Sequence, residues 1–543
     1  MTAVPDRAHP RPDVVLAQAL AADLDAADLR SEPLRRLWGE EPDDALARGL
    51  REPILRAIEG RDDPLATLGR LWVLGMPQPL AAVERALPRV GSEGLERLGL
   101  AVADGAVVRP SAIIRPQSFV DADGVGEWWI ASDLDEIALG TSLPGDHVLG
   151  VGGASRTLAE LVIPASVERA LDLGTGCGIQ ALLVSRHAGR VIATDISERA
   201  LAFARLNAQL NGVNNVEFRL GSMFEPVAGE AFDLIVSNPP FVITPRVAGV
   251  PEYEYRDGGL IGDALVERFL REAPGHLAPG GVAQLLGNWE SRDGTAGLDR
   301  VRSWVDDALD AWVIQREQLS PLGYAELWIR DGGTLPRDAA FSELLTAWLD
   351  DFEARGVSAV GFGYILLRRP ADASLPTPHS SRRFAPLGAS GARGPGSATH
   401  SGDATPWVPE PVEGPLRRFE TLTQPVSDLG RALQAGLAAH DALAAGIPDR
   451  LVVAADVTEA RHHLPGSDDP SVIELRQGGG FARTIAVDPA LAGLVGACDG
   501  ELTVMQIVQA LADILQVPLS DLWGDLQPRI RRLVLDGMLL PAE

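Results

Sequence analysis

The sequence lacks lysine altogether, so arginine supplies all 48 basic side chains, and only two of its 543 residues are cysteine. Without lysine, no mechanism can use a lysine amine as a base or as a Schiff-base nucleophile. Cys177 and Cys498 lie in what we predict to be different domains, and neither has neighbours at metal-ligand spacing. We therefore predict neither a structural disulfide nor a metal site.

Long apolar runs and a secretory leader are also missing. No stretch of about 18 residues is apolar throughout, which argues against a membrane span. Residues 1–7 carry neither a basic start leading into an apolar core nor a small-residue cleavage site. The sequence therefore predicts a cytoplasmic protein without a membrane partner.

Positive charge is scarce, because acidic residues exceed basic ones by 27 and the isoelectric point is near 4.7. A net charge of this sign repels nucleic acid at long range and disfavours tight non-specific binding to RNA or DNA. A local basic patch stays compatible with it. The length predicts three or four folding units at roughly 150 residues each.

Changes in composition divide the chain into four parts. We predict an N-terminal helical domain over residues 1–118 and an α/β domain over residues 119–369. Residues 370–415 are rich in Pro, Ser, Gly and Ala, with little apolar periodicity, and predict a flexible linker. Residues 416–543 then form a C-terminal domain.

Both flanking domains have a pattern similar to that of a winged helix, an α+β module of helices followed by a hairpin. In the first, Asp104-Gly105 between apolar pairs predicts a tight turn. Such a domain either reads nucleic acid or docks a substrate, and Glu93 and Glu96 on its third helix favour docking because acids repel phosphates. In the second, the arginines between positions 529 and 532 predict either an RNA contact or a solvated face.

The centre of the sequence is residues 170–180, Ala-Leu-Asp-Leu-Gly-Thr-Gly-Cys-Gly-Ile-Gln, a buried strand that runs into a glycine-rich turn and a helix. Glycine suits this turn because the backbone approaches a ligand with no Cβ in the way, while N–H groups at the helix start point toward it. The next strand ends in Asp195, 17 positions after Gly178, near where an acid hydrogen-bonds a ribose diol. Asp172 precedes the turn, where its carboxylate can hold an amino group or order the loop.

The glycine spacing separates two classes of cofactor. Dinucleotide enzymes use G-x-G-x-x-G, whereas this loop reads G-x-G-x-G, and a pyrophosphate would gain nothing from the Asp172 carboxylate. The segment resembles the class I S-adenosylmethionine-dependent methyltransferases, which implies a Rossmann-like α/β core between the winged-helix-like flanks. In that family the positions of Ser222 and Met223 flank the adenine ring. The resemblance implies S-adenosyl-L-methionine as cofactor, held by Asp172, Gly174, Thr175, Gly176, Cys177, Gly178, Asp195, Ile196, Ser222, Met223 and Asn238.

A fourth strand ends in Ser237-Asn-Pro-Pro-Phe241. Two prolines end the sheet and leave backbone carbonyls without competing N–H donors, and Asn238 adds a side-chain oxygen. These acceptors suit the two N–H donors of an amide or aromatic amino group, and Phe241 offers a flat face for stacking. Attack on an activated methyl group needs no strong base, so positioning should carry most of the rate. We expect Asn238, Pro239, Pro240 and Phe241 to be the catalytic residues.

The motif at 238–241 resembles that of the N-P-P-[FYW] methyltransferases, which modify adenine or guanine amino groups or the glutamine side-chain amide. With Val-Ile-Thr-Pro after it, it is most similar to the HemK-type glutamine N5-methyltransferases. This resemblance covers roughly residues 145–290 and implies a protein acceptor, a glutamine in the Gly-Gly-Gln loop of a release factor. The alternatives are an amino group of a base in rRNA, tRNA or DNA, and a non-catalytic S-adenosylmethionine-binding regulator.

Three further segments complete the α/β domain. Residues 147–161 predict either a glycine-rich flap over the ligand or an ordinary turn, followed by a helix capped by Ser155 or Thr157. Residues 253–259 resemble the substrate-side loop of the same families, and Arg256 and Asp257 are either part of that loop's function or a surface ion pair. The remaining strands of the sheet are predicted at 311–315, 326–330 and 357–367.

Overall fold

The computed structural model describes residues 8–121, 124–140, 143–247, 249–251, 253, 256–371, 414–424 and 427–542. These residues form two compact units, the first comprising the chain up to Arg369 together with Arg418–Thr423, and the second comprising the described residues of Pro370–Arg417 and of the chain from Gln424 onward. Most of the predicted linker, residues 372–413, lies outside the described residues. None of the described helices is both long and apolar enough to cross a membrane.

The first unit begins with a run of short helices and a small sheet. Asp13 starts the first helix by accepting the N–H groups of Val15 and Leu16. The helices are α1 (Val14–Ala26), α2 (Ser31–Trp38), α3 (Glu40–Ala47), α4 (Glu52–Ala57), α5 (Pro64–Leu68), continued by a π-helical turn (Gly69–Val73), α6 (Leu80–Ala86) and α7 (Gly91–Leu98). The strands are β1 (Gln78–Pro79), β2 (Ala101–Asp104) and β3 (Val107–Pro110), in the order β1-β3-β2.

The turn between β2 and β3 lies one position later than predicted. Asp104 pairs with Val107 and is therefore the last residue of its strand, so the two turn residues are Gly105 and Ala106. Gly105 takes the positive φ, 61°, that a tight hairpin turn requires.

A long hairpin follows, formed by β4 (Ala112–Asp121) and β5 (Gly124–Asp133), and it carries Trp128 and Trp129. The indole of Trp129 donates to the carbonyl of Leu29, which ties the hairpin to the N-terminal helices. One apolar core extends from Ala17 to Leu210, so the helices, the hairpin and part of the α/β domain share buried surface.

The α/β domain is built on one large sheet. Its strands are β6 (Val167–Leu173), β7 (Ala188–Asp195), β8 (Val216–Leu220), β9 (Phe232–Ser237), β10 (Leu277–Arg292), β11 (Asp310–Leu319), β12 (Val357–Arg368) and β13 (Arg417–Thr421). Its helices are α8 (Glu136–Leu139), α9 (Gly153–Leu161), α10 (Ile179–Ser185), α11 (Glu198–Leu210), α12 (Ala264–Glu272), α13 (Gly297–Trp304), α14 (Pro321–Asp331) and α15 (Ala339–Ala354), with 3₁₀ turns at Glu225–Val227 and Ala273–His276.

The eight strands run in the order β13-β11-β12-β10-β9-β6-β7-β8. The five from β10 to β8 are mutually parallel, whereas β12 is antiparallel to both of its neighbours. Strand order reverses between β6 and β9, and such a switch point opens a crevice at the carboxyl ends of the strands. The predicted Rossmann-like core is confirmed.

One predicted strand, residues 326–330, is wrong because these residues lie inside α14. Ser320 accepts the N–H of Gly323 and Pro321 occupies the first turn, so both start a helix here. Tyr324, Ala325 and Ile329 then follow at helical spacing and are buried together.

Strand β13 comes from sequence beyond the predicted linker. The C-terminal domain was predicted to begin at residue 416, but Arg418–Thr423 belong to the first unit, where β13 lies beside β11. The indole of Trp312 donates to Glu420, and the guanidinium of Arg418 lies over the Trp312 ring.

The second unit is a smaller α+β domain with two sheets, β15-β16-β17 and β14-β18. Its elements are α16 (Leu429–Ala444), β14 (Leu451–Val453), β15 (Val457–His463), β16 (Pro470–Gln477), β17 (Thr484–Val487), α17 (Pro489–Gly496), α18 (Val504–Leu515), α19 (Leu519–Leu535) and β18 (Leu539–Pro541). The capping box of Thr503 and Gln506 starts α18 at the predicted residue.

The arginines between positions 529 and 532 interact with acidic side chains and a carbonyl of this same unit. Arg529 pairs with Asp488 and Asp525, Arg531 donates to a helix carbonyl, and Arg532 pairs with an aspartate one turn on. Guanidinium groups held in this way have little charge left for phosphates. The winged-helix resemblance of the two flanking regions stays a prediction.

Candidate active site

The predicted cofactor and acceptor segments meet at one edge of the sheet. Leu173 at the end of β6 pairs with Thr194 of β7 on one side and with Ser237 of β9 on the other. Asp195 pairs with Leu220 of β8, and its carbonyl accepts the N–H of Gly221. The glycine loop, Asp195, the Ser222–Met223 segment and the N-P-P-F motif therefore follow four neighbouring strands.

The three loop glycines have two different reasons to be glycine. Gly174, Gly176 and Gly178 all take positive φ values, of 78°, 56° and 91°. A Cβ on Gly178 would lie 3.0 Å from the Cβ of Ala204, so this position packs α10 closely against α11. On Gly174 or Gly176 a Cβ would meet no described atom within 4 Å, so here the backbone faces open space. The loop is thus packed on one side and accessible on the other.

Asp172 has one occupied and one free carboxylate oxygen. Oδ2 accepts the Thr175 hydroxyl at 2.6 Å and the Ala181 N–H at 2.9 Å, which orders the loop. Oδ1 is buried and has no hydrogen-bond partner within the part of the chain that the structure describes. Burial raises the pKa of Asp172 to about 7, although its two hydrogen bonds act in the opposite direction. A cationic ligand at Oδ1 would satisfy this carboxylate.

Asp195 closes the loop from the second strand. Its Oδ2 accepts the N–H of Gly176 and its Oδ1 accepts the N–H of Ser197, each at 2.9 Å. Burial raises the pKa of Asp195, and these backbone hydrogen bonds partly offset the rise. The next residue, Ile196, is 68% exposed. An acid and an uncovered apolar side chain therefore stand side by side, as a ribose and an adenine would require.

Ser222 and Met223 are half-buried after the third strand. Met223 has a φ of +50°, an unusual conformation for a residue with a long side chain. Such strain concentrates at ligand sites. The adenine contact of this pair stays a prediction.

Cys177 is buried in the loop, and burial raises the pKa of its thiol to about 11. It is therefore a neutral small side chain rather than a nucleophile. Its carbonyl accepts from the amide of Asn207 at 2.8 Å, and that same amide also bonds both backbone groups of Ala131. Sequence reasoning missed Asn207, although an asparagine on the buried face of an otherwise apolar helix is a signal of this kind.

The acceptor loop, which we define as residues 238–244, begins where β9 ends. The Ser237 hydroxyl donates to the Leu173 carbonyl at 2.7 Å and joins this loop to the cofactor loop. The side-chain oxygen of Asn238 is buried and lacks a partner among the described residues. Pro239 is buried, whereas Pro240 and Phe241 are half-buried. The four predicted catalytic residues thus lie directly beside the cofactor loop.

Tyr253, Arg256 and Asp257 lie against the acceptor loop. The Val242 N–H donates to the carbonyl of Arg256 at 3.0 Å, and Phe241 pairs with Asp257. The Asp257 carboxylate accepts the Thr244 hydroxyl and, at 2.7 Å, the Tyr253 N–H. Of the two alternatives for Arg256 and Asp257, the surface ion pair is wrong, since these residues are 7% and 5% exposed and contact the acceptor loop.

The glycine-rich segment before α9 lies against the β4–β5 hairpin. Asp133 binds the backbone of Val148 through both its N–H and its carboxylate. Helix α9 begins at Gly153 after Gly152, with no side-chain cap, so the predicted capping by Ser155 or Thr157 is wrong. The Gln180 amide donates to the Ser155 carbonyl at 2.6 Å, which connects this segment to α10. A cavity of about 380 Å³ borders residues 149–152, but no predicted site residue lines it.

These features fit S-adenosylmethionine better than a metal or a dinucleotide. The described residues contain no group of three or more His, Cys, Asp or Glu that could hold a metal ion. The free oxygen of Asp172 suits an α-ammonium group, and the open glycine backbone admits a ligand close to the chain. The carboxylate of Asp195 lies where a ribose diol would be bound.

Comparison with known proteins agrees with this geometry. Residues 150–296 match the family model described as methyltransferase small domain, and residues 26–111 match a domain of unknown function, DUF7059. The release factor glutamine methyltransferase of Xylella fastidiosa is 40% identical over 158 residues, which are 26% of this chain and 57% of that protein. The ribosomal protein uL3 glutamine methyltransferase of Bradyrhizobium diazoefficiens is 41% identical over 128 residues, 22% of this chain and 40% of that protein.

A putative protein N5-glutamine methyltransferase of Methanocaldococcus jannaschii is 35% identical over 119 residues, which are 21% of this chain and 59% of that protein. The chain thus spans about half the length of the curated relatives it matches. The methyltransferase family model matches residues 150–296, which contain the glycine loop and the N-P-P-F motif. The central domain of this chain is therefore similar to the class I, S-adenosylmethionine-dependent methyltransferases of the N-P-P-[FYW], HemK-like group.

Proposed function

We propose that the chain transfers a methyl group from S-adenosylmethionine to the side-chain amide nitrogen of a glutamine in a protein. The observation that carries this proposal is the buried, unpartnered oxygen of Asn238 within the described chain, beside two prolines that have no N–H of their own. An acceptor surface of this kind is costly unless a donor fills it. A primary amide brings two N–H donors on one planar nitrogen.

The chain's own residues would act by binding and orientation. Asp172 and Asp195 would hold the two ends of the cofactor, and when bound, that cofactor supplies a methyl group already activated by a sulfonium. Asn238 and the proline carbonyls would grip both amide hydrogens, which localises the nitrogen lone pair that the planar amide otherwise delocalises. Phe241 would stack on the amide plane. Because no strong base is needed, positioning supplies the rate acceleration.

Two observations favour a protein acceptor over RNA. The chain carries a net charge of −27, and the arginines near the end of the second unit are engaged with acids and a carbonyl inside that unit. A polyanion would therefore find little electrostatic attraction here. The names of the relatives give two acceptors of the protein class, a release factor and ribosomal protein uL3.

The test uses the full chain with radiolabelled S-adenosylmethionine and extract from cells that lack this protein. We expect protease, and not ribonuclease, to remove the label. Tandem mass spectrometry should place the label on a glutamine amide. Purified release factor and uL3 then serve as defined acceptors. Label released by ribonuclease instead would show a nucleobase acceptor, and absence of transfer to any acceptor would favour a binding regulator. The Asn238→Ala protein is the matched control, because it should bind cofactor but not transfer.

A further inference from the structure

A helical hairpin, formed by α14 and α15, packs against the acceptor loop. Helices α14 and α15 connect two strands that are neighbours in the sheet, since Leu319 of β11 pairs with Val360 of β12. Apolar side chains of this hairpin, among them Ile329 and Trp348, form one buried cluster with Val242 and Ile243 of the acceptor loop. The hairpin therefore packs directly on the segment proposed to hold the acceptor amide.

Within this contact, Tyr324 of α14 makes the polar connection. Its hydroxyl accepts the N–H of Ile243 at 3.0 Å and the side-chain amide N–H of Asn288 at 2.6 Å. Tyr324 and Asn288 are 2% and 1% exposed. Burial raises the pKa of Tyr324 far above its usual value, so the group stays a neutral hydroxyl.

Asn288 carries this connection into the sheet. It lies on β10 three positions after Leu285, the partner of Ser237, and so extends past the end of β9 to the level of the acceptor loop. The hydrogen bonds that Asn288 and Ile243 donate to the Tyr324 hydroxyl therefore connect the acceptor loop to β10. Sequence reasoning missed both residues, and Tyr324 precedes the strand that was wrongly predicted at 326–330.

The loop depends on this connection because of its prolines. Pro239 and Pro240 lack N–H groups and cannot be fixed by donating to the surrounding backbone. The backbone N–H groups that follow the prolines hold the loop instead. The Val242 N–H donates to the Arg256 carbonyl, and the Ile243 N–H donates to the Tyr324 hydroxyl. One of these hydrogen bonds thus comes from Arg256 and the other from the α14–α15 hairpin.

We propose that Tyr324, supported by Asn288, is a positioning residue that fixes the acceptor loop for methyl transfer. This inference rests on the proposed function and deepens it. Tyr324 touches neither the cofactor loop nor the acceptor carbonyls directly, so its removal changes where the loop stands, not which groups line it. Displacements of about 1 Å at a reacting centre can lower the rate about 100-fold.

The test compares Tyr324→Phe with Tyr364→Phe. Both changes delete a hydroxyl from a buried tyrosine packed on the same sheet, but Tyr364 lies on β12, and its hydroxyl interacts with Arg316 rather than with the loop. Enzyme concentration is set by calorimetric titration with S-adenosylmethionine, and kcat and the acceptor KM are measured separately. We expect Tyr324→Phe to lower kcat about 10- to 100-fold with unchanged cofactor affinity, and Tyr364→Phe to leave kcat close to that of the parent.

Equal kcat values for the two variants would overturn the assignment. If Tyr324→Phe fails to fold, Asn288→Leu keeps the tyrosine and removes only its partner in the sheet. A lowered kcat per cofactor site in that variant supports the inference, and a kcat equal to the parent's contradicts it. Failure of the proposed function is distinguishable, because the unaltered chain would then transfer no methyl group to a glutamine amide of any protein acceptor.

Discussion

Protonation of Asp172 should control cofactor affinity in the neutral range. Its pKa is raised to about 7 by burial, and its free Oδ1 can bind an ammonium group only as a carboxylate. Cofactor binding must therefore expel the Asp172 proton at lower pH. We expect the affinity to fall by about tenfold at pH 6 and about a hundredfold at pH 5, relative to its plateau. The α-amino group of the ligand loses its own proton only near pH 8, outside this window.

The matched variant is Asp172→Asn, in which an amide oxygen can still accept from Thr175 and Ala181 and keep the loop ordered. Loss of a charge-assisted hydrogen bond of about 1.5–3 kcal/mol predicts roughly 10- to 150-fold weaker binding at pH 7.5. The pH dependence below 7 should disappear with it. Isothermal titration calorimetry in buffers of different ionisation enthalpy measures both the affinity and the proton release. A flat pH profile in the parent, or an unchanged slope in the variant, would refute the reasoning.

Three further changes test separate parts of the site. Asp195→Ala removes the acceptor of the Gly176 and Ser197 N–H groups as well as the ribose partner, and should weaken cofactor binding about 10- to 150-fold by calorimetry; unchanged affinity would remove the ribose role. Asn238→Ala should leave cofactor binding within a few-fold while abolishing turnover, so measurable steady-state transfer would contradict its assigned grip on the amide. Cys177→Ala should retain turnover, and the native thiol, with its pKa raised to about 11, should resist iodoacetamide at pH 7.5 in mass spectra of the folded protein.

The parallel strands of the fold could be predicted because each is a short apolar run bounded by turn residues. The predicted strand before the glycine loop, the strand that ends in Asp195 and the strand that ends in Ser237 are all present, as β6, β7 and β9. The strands on the antiparallel side of the large sheet were harder to predict from the sequence. Residues 326–330 form a short apolar run between Glu326 and Arg330 that fits a strand, and only the Ser320-Pro321 start shows that a helix runs through them. Strand β13 was missed because residues 372–413 separate it from the sheet that it joins.

The candidate site could be predicted where the chain itself brings residues together. The glycine loop, Asp195 and the N-P-P-F motif each follow a strand, so parallel neighbours place them at one edge. Tyr324, Asn288 and Asn207 make their contacts through tertiary packing, and no local pattern specifies which buried polar group will meet which backbone donor. The role of Arg256 and Asp257 could not be predicted for the same reason. Only their burial in the folded chain shows that they contact the acceptor loop and do not form an ion pair on the surface.

The origin of β13 has a practical consequence for dividing the chain. A fragment ending at Arg369 would strip the outermost ribbon from the catalytic sheet, leaving β11 with unpaired main-chain groups and Trp312 without its cover from Glu420 and Arg418. Exposed edge strands of this kind pair with strands of other chains and promote aggregation. Cutting after Thr423 instead would keep that ribbon in place, so this second position is the natural boundary for separating the two parts.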